Sequence, residues 1–132
     1  MAEPLVLDAS AMVHVLVGSP VAAQIAQRLR GNDLHVPAHF DAEVLSALGR
    51  LNRAGHLTVR QVATRLTQLI ASPIERHLLG PLVIGAWGRR QHLRLVDALY
   101  VELANQLNGA IITTDSGLAA ALRSAELFSA SD

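Results

Sequence analysis

Four acidic residues in this sequence stand where an apolar run stops or a helical pattern begins: Asp8, Glu43, Asp97 and Asp115. Asp8 ends Leu5-Val6-Leu7, and Asp115 ends Ala110-Ile111-Ile112-Thr113-Thr114. Short unbroken β-prone runs of this kind read as buried parallel strands, and open α/β sheets gather their ligands beyond the carboxyl ends of the strands. If both strands belong to one sheet, Asp8 and Asp115 share an edge. Glu43 and Asp97 each fall near the start of a helical pattern, beside its apolar stripe, which brings them to the same edge. Singly, each acid is also a plausible helix cap or a first-turn charge complementing the helix dipole. Together they form a cluster that repels itself unless protonated or bridged by a cation. Oxygen-only donors, with the hydroxyls of Ser10 and Thr113 nearby, select the hard cations Mg²⁺ or Mn²⁺. Such a site suits phosphoryl chemistry, in which a metal activates water and offsets charge developing on the phosphate.

The elements that must position these acids follow from hydrophobic period. After Leu5-Val6-Leu7, residues 10–30 read as helix interrupted at Gly18-Ser19-Pro20, with Ser10 and Ser19 as caps. Leu34-His35-Val36-Pro37 is a second strand. Residues 39–54 form a helix closed by Gly55, and residues 58–71 another, capped by Thr58 with Val62, Leu66, Leu69 and Ile70 inward. Ile74 to Leu79 reads as a short strand and Pro81 to His92 as a helix weakened by Gly85 and Gly88. A longer helical pattern follows with Leu99, Tyr100, Leu103, Ala104 and Leu107 on one face, closed by Asn108-Gly109. After the Ile111 strand come a helix over 118–123 and a short last strand within 125–128.

At 132 residues the chain is expected to form one domain, residues 1–132, without a linker. Hydrophobic residues make up 51% and charged residues 17%, which excludes disorder and predicts apolar surface left over for a partner or a homodimer. No apolar run approaches the roughly 18 residues that span a bilayer, and Glu3 stands where a signal peptide wants positive charge. The expectation is a cytoplasmic protein with no membrane contact. Cysteine is absent, and all 11 basic residues are Arg. Lacking lysine, the chain has no P-loop, no Schiff base, and no phosphate-contacting Lys of receiver or haloacid-dehalogenase type, which tells against a phosphatase or phosphotransfer domain.

The motifs Asp8-Ala9-Ser10, Val36-Pro37 followed by Glu43-Val44, Asp97-Ala98-Leu99-Tyr100, and Thr113-Thr114-Asp115 with Leu118 behind it occur in this order along almost the whole chain. In this the sequence resembles the PIN-domain ribonucleases of the VapC toxin type. The resemblance implies a Rossmann-like α/β domain, with a central parallel sheet of four to five short strands and helices on both faces. It further implies an Mg²⁺ or Mn²⁺ site, endonucleolytic RNA cleavage, and a VapB-like antitoxin that blocks it. Position by position, Asp8, Glu43, Asp97 and Asp115 match the family's acids, and Ser10 and Thr113 its hydroxyls. The sequence departs from the pattern at Val96, and at Ser116 no further acid follows Asp115.

Arg89, Arg90 and Arg94 precede Asp97 and are candidates to hold RNA phosphates, against the alternative of a solvated helix face. Arg50, Arg53, Arg60 and Arg65 read as surface or interface residues. His35 and His39 flank Pro37 and make no zinc pair, and the other histidines look isolated. Asp41 reads as a solvated or capping acid, and Trp87 and Tyr100 as core or interface. The rival to a nuclease is a catalytically silent PIN-like module that binds RNA or protein.

Overall fold

The computed structural model describes residues 1–129 and contains one five-stranded, all-parallel sheet. The strands are β1 (Pro4–Leu7), β2 (Asp33–Pro37), β3 (Ile74–His77), β4 (Ala110–Thr113) and β5 (Glu126–Leu127). Their order is β3-β2-β1-β4-β5, so the chain builds outward from β1 in both directions. Leu5, Val6 and Leu7 of β1 and Ile111 and Ile112 of β4 are fully buried, as strands covered on both faces require. The order of connection reverses between β1 and β4, which leaves a crevice beyond their carboxyl ends. The α/β expectation, with five strands at the upper end of the predicted number, holds.

The helices are α1 (Ala9–Val17), α2 (Ala22–Leu29), α3 (Phe40–Arg53), α4 (Val59–Ala71), α5 (Val83–Trp87), α6 (Leu95–Leu107) and α7 (Ser116–Ala119). Helix α4 begins with a full capping box between Thr58 and Gln61. Helix α6 ends where Asn108 adopts a left-handed φ of 53°. The next residue must be glycine because a Cβ at Gly109 would lie 2.5 Å from the Pro4 carbonyl oxygen, where β4 enters the sheet beside β1. The core joins β1 and β4 to Met12, Ile25, Phe40, Val44, Leu48, Tyr100 and Leu103.

Several local expectations are corrected. Asp8, not Ser10, occupies the N-cap position of α1, and it makes no side-chain capping bond there. Helix α2 starts at Ala22, because the Ser19 hydroxyl is engaged by His14 Nδ1 at 2.6 Å. Ile70 is 78% exposed; α4 packs through Leu69, and the residue one step around the helix faces out. Residues 81–92 are not one helix: a 3₁₀ turn (Gly80–Leu82) leads into α5, which stops at Gly88. Helix α7 is a single turn ending at Ala119 rather than Arg123. Among the described residues no single helix is long and apolar enough to cross a membrane, although α1 and α2, bent by 116°, pass that test as a pair by length and composition.

Candidate active site

Asp8, Ser10, Glu43, Asp97 and Asp115 line one open cavity of about 190 Å³ at the crevice between β1 and β4, together with Arg50 and Arg94. The four acids come from four segments: the end of β1, the first turn of α3, the first turn of α6 and the turn after β4. Asp8 is held by hydroxyls. Ser10 Oγ donates to Asp8 Oδ2 at 2.6 Å, and Thr113 Oγ1, fully buried, donates to the same oxygen at 2.8 Å. Each hydroxyl then accepts a backbone N–H, Ser10 from Thr114 and Thr113 from Asp115. This chain of bonds ties the ends of β1 and β4 together. Burial pushes the Asp8 carboxyl above the usual carboxylate range; the two hydroxyls oppose that shift, and the charges of Glu43 and Asp97 add to it.

Glu43 is positioned from the side. The Tyr100 hydroxyl, on a fully buried ring of α6, donates to Glu43 Oε1 at 2.6 Å. His39 Nε2 lies 2.9 Å from the Val96 carbonyl and 3.4 Å from Glu43 Oε1, and since both neighbours accept, Nε2 carries the proton. Val96, the point of departure from the family pattern, thus contributes its backbone to the site. Asp115 Oδ1 accepts from the N–H groups of Gly117 and Leu118, capping α7. Asp97 receives Arg94, with Nε donating to Oδ2 at 3.0 Å and Nη2 to Oδ1 at 3.4 Å.

These contacts keep the carboxylates apart. Among the described residues, no three of the four acids bring ligand oxygens within 4.8 Å of one another, a looser arrangement than the sequence expectation of tight convergence. The reason is that Arg94 draws on Asp97 and the α7 N–H groups on Asp115. The donor set nevertheless fits a hard divalent cation: it is all oxygen, one member is a desolvated carboxylate, and a guanidinium already supplies countercharge.

The three candidate arginines do not act together. Arg94 lines the acidic cavity, whereas Arg89 is held by the buried Glu102 at 3.4 Å and lines an adjoining cavity with His92, Leu93 and Gly117. Arg90 stacks over Trp87, 4.8 Å from the ring centroid. Arg50, read from sequence as surface or interface, lies in the site. Glu43, Ala47 and Arg50 all line it, and their i, i+4, i+7 spacing is the signal that was there to be read. Asp41 is not a free acid but is gripped by Arg76 through two bonds.

Comparison with known proteins supplies the family. The PIN domain pattern matches residues 5–122, and the chain is 52% identical over 124 residues to Ribonuclease VapC3 of Mycobacterium tuberculosis, covering 93% of this chain and 90% of that one. This chain belongs to the PIN-domain family, among the VapC ribonucleases. A further VapC relative, Ribonuclease VapC12 of the same organism, is 35% identical across 87% of this chain and 89% of its own. In fold, the VapC-type PIN domain described here matches a toxin-antitoxin complex from Klebsiella pneumoniae with a TM-score of 0.69 at 15% identity, over 92% of this chain and 95% of that one.

Proposed function

We propose that this protein is an Mg²⁺- or Mn²⁺-dependent endoribonuclease, one PIN domain over residues 1–132, acting as the toxin of a toxin-antitoxin pair in the cytoplasm. The observation that carries the reading is the meeting of Asp8, Glu43, Asp97 and Asp115, from four segments, in one cavity at the switch point of a parallel sheet. The ribonuclease names of the VapC relatives support the reaction class. These four acids would hold the cation. When bound, it neutralises charge on the scissile phosphate and acidifies an attacking water. The chain's own residues do the rest: Ser10 and Thr113 fix Asp8, Tyr100 and His39 orient Glu43, and Arg94 and Arg50 sit where they can bind the phosphates flanking the cleaved bond.

The partner proposed is a VapB-like antitoxin, a reading supported by the toxin-antitoxin complex whose fold this chain shares. Val83, Ile84, Trp87, Leu95 and Val96 leave apolar surface exposed around a cavity of about 190 Å³ on α5 and α6, surface available to that segment or to a second subunit of a homodimer. The deciding experiment measures RNA cleavage with Mg²⁺, with EDTA, and with Asp97→Asn. Cleavage should vanish in EDTA and fall by about 100-fold or more in the variant, since a lost ligand costs at least what a lost supporting group does. Wild-type protein that binds RNA without cutting it would favour the silent binding module instead.

A further inference from the structure

A second set of ligand atoms lies on the edge of the sheet, away from the acidic cavity. In the parallel register of β2 and β3, His35 stands opposite Glu75, and His77 follows two residues later, opposite Pro37. Alternation along β3 sends Glu75 and His77 to one face and Arg76 to the other, where it meets Asp41 of α3 and the Leu69 carbonyl of α4. His35 Nδ1 is 2.9 Å from His77 Nε2 and 3.1 Å from Glu75 Oε2, and His77 Nε2 is 3.9 Å from that same oxygen. A triangle with those sides has its centre about 2 Å from every corner, the length of zinc's bonds to imidazole nitrogen and carboxylate oxygen, and a shift of the exposed Glu75 carboxylate by about half an ångström toward His77 brings the widest side to the span that tetrahedral angles need.

We propose that His35, Glu75 and His77 form a transition-metal site that takes Zn²⁺, independent of the nuclease reading and of the acidic cavity. Two imidazoles and one carboxylate favour a borderline ion over the hard cations suited to the all-oxygen cluster. The fourth position is left to water. Access is open: the Glu75 side chain is 65% exposed, and His35 and Glu75 line a solvent-facing cavity with Asn32, Asp33 and Pro73. The consequence is mechanical. Strand β3 is the sheet edge and pairs with β2 alone, so an ion shared between the two strands fastens the edge to the sheet.

The test uses the whole chain, stripped with EDTA and dialysed, titrated with Co²⁺ and then with Zn²⁺ against a chromophoric chelator. Expected are one equivalent of Zn²⁺, an intense tetrahedral Co²⁺ spectrum that Zn²⁺ displaces, and a higher Tm with Zn²⁺. Glu75→Gln and His77→Gln should each weaken Zn²⁺ binding by at least about 10-fold and lose the Tm rise, while Asp8→Asn and Asp97→Asn keep both. Glu75→Gln alters an exposed side chain, so its circular dichroism should match the wild type and its result stands if His77→Gln misfolds. No stoichiometric binding, an octahedral cobalt spectrum, unchanged affinity in Glu75→Gln, or loss of Zn²⁺ binding in the Asp8 or Asp97 variant would each overturn the site.

Discussion

Replacing Tyr100 with Phe removes a single oxygen from a ring that is fully buried, and therefore isolates the bond that holds Glu43. The ring keeps its volume and its tilted contact with His39, so no cavity opens. What is lost is a 2.6 Å hydrogen bond to a carboxylate, a class worth about 1.5–3 kcal/mol. The Glu43 side chain is 32% exposed, so water can replace the donor, which puts the loss near the lower end. With an unfolding entropy of about 0.28 kcal/mol per degree for a chain of this length, about 1.5 kcal/mol lowers Tm by about 5 °C. The same change frees Glu43 to rotate and should weaken Mg²⁺ binding by about 10-fold, as for other groups that orient a metal ligand. Titration gives a third readout. Burial, then Glu43, pushes the Tyr100 phenol far above its ordinary value, so the folded state keeps a proton the unfolded chain releases above about pH 10. Stability is complete below that pH and falls as pH rises past it, and the Phe variant should lack this component of the alkaline loss. Differential scanning calorimetry from pH 7 to 11 and isothermal titration with Mg²⁺ measure all three. An unchanged Tm together with unchanged Mg²⁺ affinity would refute the claim that Tyr100 positions Glu43.

Asp8→Asn should raise Tm in EDTA at neutral pH, because burial holds the Asp8 carboxyl above its ordinary value. The protonated form is the one the fold favours, so the advantage of Asn should shrink as pH falls through the raised Asp8 value, seen as converging melting curves. Arg89→Ala should cost about 2 kcal/mol, or about 7 °C, by leaving the buried Glu102 short of its cation, with Mg²⁺ affinity unchanged in calorimetric titration. Arg94→Ala should bind Mg²⁺ a few-fold more tightly, since the competing cation is gone, yet bind a short RNA more weakly in filter assays with Asp8→Asn present to prevent cleavage.

The acids were legible in the sequence because each marks a change of period: Asp8 and Asp115 end apolar runs, and Glu43 and Asp97 open 3.6-residue patterns. Their support was not. Tyr100 reads as core from its place in the α6 stripe, and it is core, but its partner lies 57 positions away, and they meet only because α6 packs on β1 and β2 while α3 starts just beyond the end of β2. His35 and His77 look isolated until the β2/β3 register is known, since 42 residues separate them. The error at Ile70 has another origin. Periodicity locates an apolar arc to within a residue or so, and α4 buries so narrow a strip that a neighbour of Leu69 falls outside it. The weak helix expected over 81–92 fails where two glycines remove propensity and Gly88 closes α5.

The hydrogen bonds around the acidic cavity divide the carboxylate oxygens unevenly. On Asp8 both hydroxyls fall on Oδ2, on Glu43 Tyr100 and His39 both fall on Oε1, and on Asp115 both capping N–H groups fall on Oδ1. Among the described residues, each of these acids is thus held through one oxygen, while the other accepts no hydrogen bond from the protein. Asp97 differs, with both oxygens taken by Arg94, whose side chain is 75% exposed. Ligands locked by their own packing and hydrogen bonds need little reorganisation when a cation arrives, which is where a loosely built site loses affinity. On the proposed reading, a cation draws the separated carboxylates together, and the one ion pair it must displace is that of a solvent-facing guanidinium with Asp97. That guanidinium is then free, beside the loaded site, for the phosphate of an incoming strand, so the group that balances the empty cluster is the same one that meets the substrate once the cluster is filled.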